Sequence, residues 1–304
     1  MSKRRCICLL LTVFLLSLAS CSGRIDPDNA YSKHLSICVL GNSYSNDSFS
    51  YVPFILKEYG VSCEVHIYYR SNGSLANLYN EWLDGCAVHY FIDTREDDKW
   101  RRGAALSASS MLSLLNWDIV SLQQSSRQVC VIESYYPYLQ EIIRQISETC
   151  APGYSLAWFM AYNRAENTDR ESNLEVQSSI VDSFSFDIVL PVATAIFDCQ
   201  ENPFLAEIGE SPYHQLYSLD SIHLQEGLPC YIAALAISQA ILDQYFPGES
   251  VIGNSIRPTQ NWIDSVNGIT QNGQSVGVTE ENCLLAQKAA VLANKFKFEV
   301  IPID

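Results

Sequence analysis

Ser36-Ile37-Cys38-Val39-Leu40 runs without a break into Gly41-Asn42-Ser43-Tyr44-Ser45. The first five residues are almost wholly apolar and do not alternate with polar ones, which is the pattern of a strand buried on both faces of a parallel sheet. Glycine then turns the chain. A helical stretch follows, because Val52, Ile55, Leu56 and Tyr59 recur on one face before Gly60 stops it.

The same alternation continues downstream. Cys63–Tyr69 reads as a second strand, and Ser74 as the cap of a helix whose Leu75, Leu78, Tyr79 and Trp82 share a stripe. Trp117–Leu122 is a third strand, followed by a helix with Leu139, Ile142, Ile143 and Ile146 in register. Ser155–Tyr162 and Phe186–Ala193 supply the fourth and fifth, with a helical stretch around Asn173–Val181 between them. Five apolar strands alternating with helices predict an α/β protein: a three-layer α/β/α sandwich around a mainly parallel, flavodoxin-like five-stranded sheet. Cys86–Arg102 breaks the alternation and reads as an excursion, a hairpin with a charged tip at residues 94–99. Beyond the apolar helix around Tyr231–Leu242 the chain is turn-rich until a last helix near Thr279, with no internal repeat and no linker.

The chain has 304 residues, 48% hydrophobic and 17% charged, enough to bury a large core without staples. At its start, Lys3, Arg4 and Arg5 lead into an apolar run too short to span a bilayer comfortably, as in a secretory signal. Leu18-Ala19-Ser20-Cys21 resembles the lipobox of bacterial lipoproteins, which implies a lipid on Cys21. The expected layout is a signal peptide over 1–20, a lipid-anchored tether over 21–33 and one domain over 34–304. That address is the bacterial cell envelope, at the outer membrane, with the membrane met only through the lipid. Removing residues 1–20 takes the net charge from −15 to −18, because three basic residues and no acid leave. So acidic a surface repels polyphosphate and argues against nucleic acid as a partner. Eight cysteines remain beyond Cys21, none in CxxC spacing, so no zinc site is indicated and most read as small buried hydrophobes. No phosphate loop, HExxH or EF-hand pattern is present, and no cofactor or metal is implied.

The chemistry concentrates in two distant places. A serine just past a strand end, on a glycine turn, sets its hydroxyl at the crevice with its own N–H nearby, the address of a nucleophile. Far downstream, Asp220-Ser221-Ile222-His223 places a carboxylate three residues from an imidazole, just ahead of the apolar helix. An attacking hydroxyl needs an imidazole to take its proton, and the imidazole needs a carboxylate on its other nitrogen.

An early Gly-Asn-Ser with a late Asp-x-x-His resembles the SGNH (GDSL-like) hydrolase superfamily. Gly41–Ser45, Trp117–Ser126 and Leu219–Leu224 together are similar to an uncharacterised exported group within it. The resemblance covers nearly the whole mature chain and implies that Ser43 attacks, His223 is the general base and Asp220 holds His223. It further implies oxyanion donors: the Ser43 N–H, a glycine after the second strand, and an asparagine in a GxND motif after the third. Gly73 is the natural glycine, with Asn72 as the ambiguity. No GxND is present; Gln123-Gln124-Ser125-Ser126 stands in its place, which resembles carbohydrate O-acetylesterase branches with a strand-end glutamine. Gln123 is preferred to Gln124 for that role. The implied activity is a serine esterase removing small acyl groups such as acetyl from carbohydrate or related esters. The alternative is a catalytically inactive, glycan-binding surface lipoprotein that keeps the fold.

Other motifs carry less. Gly273–Gly277 spells GxSxG, but no apolar strand precedes it and no histidine follows it. Gly253-Asn254-Ser255 repeats the GNS triplet within the turn-rich tail and reads as a turn. His34 borders the tether, while His66 and His89 lie in strand-like runs and read as packed. His214 is the one rival base, whose plainer role is to line the cleft.

Overall fold

The computed structural model describes residues 33–303 apart from 94–98, 206–210, 212–215, 254–255, 260–261, 263–265 and 267–274. The expected signal segment, Cys21, the expected tether up to residue 32 and His214 lie outside these residues. The strands are β1 (Lys33–Gly41), β2 (Val61–Tyr69), β3 (Ala87–Val88), β4 (Tyr90–Asp93), β5 (Trp100–Arg102), β6 (Leu106–Ser107), β7 (Ile119–Gln123), β8 (Ser155–Phe159) and β9 (Ile188–Leu190). Between and after them run α1 (Ser43–Phe49), α2 (Val52–Glu58), α3 (Leu75–Leu83), α4 (Ala108–Leu112), α5 (Tyr138–Thr149), α6 (Arg170–Ser183), α7 (Val192–Glu201), α8 (Leu228–Tyr245) and α9 (Glu280–Lys295).

The main sheet has the order β5-β4-β2-β1-β7-β8-β9. Its parallel part, β2-β1-β7-β8-β9, is the expected five-stranded flavodoxin-like sheet. The sheet is nevertheless seven-stranded. The Cys86–Arg102 excursion folds back as β4 and β5, which add antiparallel to the edge at β2 and cover an otherwise open ladder. β3 and β6 make a separate two-stranded piece.

Alternation along a strand sends neighbouring side chains to opposite layers. On β8, Trp158 packs among Tyr135 and Phe186 and donates its indole N–H to Gln177 of α6, whereas Phe159 faces Phe49 of α1. One layer thus holds α3–α6, and the other holds α1, α2 and α7–α9 around α8, which is buried from Leu228 to Leu242. Ser74 caps α3 as expected, accepting the Asn77 N–H at 3.2 Å.

Several boundaries differ from the sequence reading: β2 starts at Val61 rather than Cys63, and the third parallel strand is Ile119–Gln123 rather than Trp117–Leu122. β1 starts at Lys33, inside the expected tether, because its backbone pairs with Val61 and its ammonium sits 4.3 Å from the Tyr245 ring centre. The fourth strand ends at Phe159 rather than Tyr162. The fifth ends at Leu190, where Pro191 opens α7, a buried helix hidden within an apolar run. Among the described residues no two cysteines are joined in a disulfide, and six of the eight are buried.

One face of α7 fastens the C-terminal strap. Thr194 Oγ1 donates to Lys297 O, Asp198 Oδ1 accepts the Ile301 N–H at 2.7 Å, and Asn202 Nδ2 donates to Ile303 O at 2.8 Å. Asp198 is fully buried, and burial pushes its carboxyl up to about 7 against the single opposing hydrogen bond from Ile301. A carboxyl that titrates higher folded than unfolded destabilises progressively as pH rises from about 4, and the penalty is complete above about 7. Asp198→Asn keeps an acceptor for Ile301 and removes the charge. Its thermal midpoint should exceed that of the wild type at pH 8, with the gap closed at pH 4. An equal gap at both values would assign the effect to packing.

Candidate active site

The parallel register decides what can meet. Gly41 pairs with Tyr69, and Leu40 with Leu122, so the ends of β1, β2 and β7 lie level at one edge of the sheet. Asn42 caps α1 with extended backbone, its Oδ1 accepting the Tyr44 N–H at 3.0 Å while its Nδ2 donates to Gly73 O at 2.9 Å. The turn after β2 is thereby tied to the turn after β1. Ser43 follows as the first residue of α1 and is the one member of that helix left partly open, since Tyr44 to Phe49 are all buried.

Residues 216–225 form a tight loop. Tyr217 and Leu224 make an antiparallel bridge, Leu216 and Ser221 adopt left-handed backbone, and Ser218 N–H donates to His223 O at 2.9 Å. Within it, Asp220 Oδ1 accepts from Ser218 Oγ at 2.8 Å, Ile222 N at 2.9 Å and His223 N at 3.0 Å. Its other oxygen accepts the hydrogen bond of His223 Nδ1 at 2.5 Å. Burial pushes the Asp220 carboxyl up, but the bonds from His223, Ile222 and Ser218 outweigh it and hold the group far below the usual carboxylate range. Burial also works against a charged His223; the Asp220 hydrogen bond and the negative charges of Asp47 and Asp220 prevail, and His223 titrates above an ordinary histidine.

The two distant stretches come together through Asp47, one turn beyond Ser43 on α1. Its buried Oδ2 accepts the Leu224 N–H at 3.2 Å and the Tyr162 hydroxyl at 3.0 Å. Tyr44 stacks on Tyr162 at 4.0 Å between ring centres and presents its edge to His223 at 6.2 Å. The loop is held from its other side by Ala165 N–H on Ser221 O at 2.9 Å and by the Tyr217 hydroxyl on Asn163 O at 2.6 Å. Ser43 and His223 share no hydrogen bond among the described residues, a looseness common in sites without substrate.

The expected oxyanion residues divide. Gly73 reaches the site, but its N–H is spent on Arg70 O at 2.9 Å within the turn, and Asn72 there has left-handed backbone. Gln124 is fully engaged: its oxygen accepts from Leu75 N and Ser125 N, and its Nε2 donates to Ser134. Gln123 Oε1 accepts from Ser45 Oγ, and its Nε2 is buried without a partner. His66 is packed on β2 against Glu64, at 2.5 Å, and His89 meets Gly103 O. Of GxSxG, Gly273 and Gln274 lie outside the described residues, and Val276 bridges to Gly227 at the head of α8 rather than leaving a strand. Of the second GNS triplet only Gly253 is described, in a turn with its N–H on Gln287 Oε1.

A much larger hollow, about 950 Å³, lies elsewhere, between α6 and residues 298–302, lined by Glu171, Glu175, Asp182 and Phe298 among others. Arg170 in its lining pairs with Glu201, and among the described residues no histidine, cysteine or tyrosine lines it; we place the candidate site at the sheet edge.

The chain shares its fold with a DUF4886 family protein from Bacteroides uniformis ATCC 8492, solved at 1.50 Å: the TM-score is 0.67 at 18% identity, over 88% of this chain and 97% of that one. TesA is also similar, with a TM-score of 0.41 and 11% identity over 70% of this chain and 98% of that one. No protein-family model matches the chain, and no curated protein matches it.

Asp47 and Ser45 were not singled out by sequence reasoning. Asp47→Ala would leave the Leu224 N–H and the Tyr162 hydroxyl without their acceptor, and should lower the unfolding free energy by about 2–4 kcal/mol in a denaturant titration. A loss under about 0.5 kcal/mol, the range of neutral surface changes, would show that the loop docks without it.

Proposed function

We propose that this chain is a serine hydrolase of SGNH type acting on small acyl esters. The observation that carries the reading is the Asp220–His223 pair, hydrogen-bonded at 2.5 Å and docked through Asp47 onto the helix that begins at Ser43. The Ser43 hydroxyl adds to the ester carbonyl carbon as its proton passes to His223 Nε2. The carbonyl π electrons move to oxygen, where the Ser43 N–H and the Gln123 amide donate to the oxyanion. Collapse expels the alcohol, which takes the proton from His223, and leaves an acyl-serine. Water repeats the sequence and releases the acid. Asp220 keeps the Nδ1 proton in place throughout, so that Nε2 is the free base. Gly73 contributes through its carbonyl bond to Asn42, which fixes the turn beside the serine.

The strand-end glutamine and the lipobox-like Leu18-Ala19-Ser20-Cys21 support a carbohydrate-borne acyl group, acetyl foremost, met by a lipid-anchored protein at the cell envelope. A glycan-binding protein without turnover is the reading that replaces this one if hydrolysis fails.

Ser43→Ala should abolish hydrolysis of p-nitrophenyl acetate with the thermal midpoint kept near wild type. Undiminished turnover would exclude Ser43 as the nucleophile. The pH profile gives a second check. His223 must be neutral to accept the proton, and it titrates above 6.5, so kcat/KM should rise with pH through an apparent pKa higher than that of an ordinary histidine. In Asp220→Asn the rate should fall and this limb should shift to lower pH. A limb that stays in place would show that Asp220 does not act on the base.

A further inference from the structure

We propose that Ser45 is a positioning residue which fixes the Gln123 amide so that only its NH2 end faces the reacting carbonyl. The inference rests on the hydrolase reading above and deepens it. Gln123 ends β7 and is 3% exposed. Its two amide ends have opposite polarity. The oxygen would repel a developing oxyanion, and the NH2 would stabilise it, so the orientation of one buried torsion decides whether the residue helps or hinders. The Ser45 hydroxyl, itself fully buried, donates to Gln123 Oε1 and so claims the acceptor end. The donor end, Nε2, is left buried without a partner. A buried amide N–H with no acceptor is costly to keep, and a ligand oxygen is one partner that would satisfy it.

The surroundings match that use. Gln123 lines a hollow of about 10 Å³ together with Gly41, Gly73 and Tyr68, and that volume suits a single oxygen atom. The Tyr68 hydroxyl is likewise buried without a partner. Gly41 belongs to the same unit. A methyl group on it would collide with Ser45 Oγ and come to 2.9 Å from Gln123 Oε1, so the glycine is what lets the serine of α1 reach the glutamine of β7 across the strand end. Gly41, Ser45 and Gln123 therefore act as one device, with the nucleophile Ser43 between Gly41 and Ser45 in the chain.

The test is steady-state hydrolysis of p-nitrophenyl acetate, with fluorophosphonate labelling of Ser43 measured in parallel. Ser45→Ala should lower kcat at least tenfold with KM changed less than about twofold, because the amide then rotates freely and the loss falls on the transition state. Added to Gln123→Ala, it should cost nothing further. Gln123→Glu keeps an acceptor for Ser45 and puts an oxygen where the NH2 was, and should lower kcat by about a hundredfold or more; the buried carboxyl lowers the thermal midpoint as well, so kcat is read well below the unfolding transition. Unchanged kcat in Ser45→Ala, losses that add fully in the double variant, or unimpaired Gln123→Glu would each overturn the assignment while leaving Ser43 chemistry intact. A wild-type chain that neither turns over ester nor labels at Ser43 would overturn the hydrolase reading and this inference together.

Discussion

A buried carboxylate that must be satisfied holds this architecture in register. Asp47 has almost no exposure, so the cost of desolvating its charge is met only if donors converge on it. The donors that do so come from far apart in sequence: the Leu224 backbone and the Tyr162 hydroxyl, 177 and 115 residues away. A parallel sheet alone would leave the segment after β8 and the loop before α8 free to pack in several ways at the strand ends. The need to bring both to one oxygen leaves far fewer, and it is this choice that sets His223 beside α1. The same charge raises the basicity of His223, so the group that assembles the site also tunes it.

The sheet contributes the second constraint, which is level ends. β1, β2 and β7 finish abreast, so the last residue of β1, a turn past β2 and the last residue of β7 share one small volume. Side-chain length then becomes decisive. An amide on the strand's own last residue must reach outward from the sheet, and glutamine has one more methylene than asparagine for doing so. A glutamine at the end of β7 is a geometric counterpart to an asparagine carried on the loop beyond it, which gives the absent GxND a physical account under the proposed chemistry.

Much of this was legible in the sequence, and the remainder was not for identifiable reasons. Apolar runs named all five parallel strands, because burial on both faces leaves no other composition available. Their ends were less clear. Phe186–Ala193 reads as one strand although Pro191 divides it, since a buried helix such as α7 and a buried strand share the same apolar alphabet until a proline intervenes. The Asp220–His223 contact was legible because three residues of separation on one loop make it local. Asp47 was not, because it lies within Ser-Tyr-Ser-Asn-Asp, which reads as a polar, exposed stretch, and only tertiary packing makes it the buried centre of a network. The preference for Gln123 over Gln124 gains a physical basis from their hydrogen bonds. The second is consumed by Leu75, Ser125 and Ser134, and the first keeps a donor in reserve.

That reserve has an energetic meaning. An interior optimised for stability alone would pair the Gln123 NH2 or replace the residue with an apolar one. Here the missing Cβ of Gly41 leaves room for the Ser45 hydroxyl, which is spent on the wrong end of the amide for satisfying Nε2. Each choice costs folding free energy at the strand ends, while the apolar body of α8 and the sheet beneath supply ample burial to absorb it. The unsatisfied donor is thus better understood as a preformed half of an interaction than as a packing defect. Under the proposed chemistry its missing half is an oxygen that bears more charge during reaction than before it, the condition under which a fixed dipole lowers a barrier without first tightening the ground state.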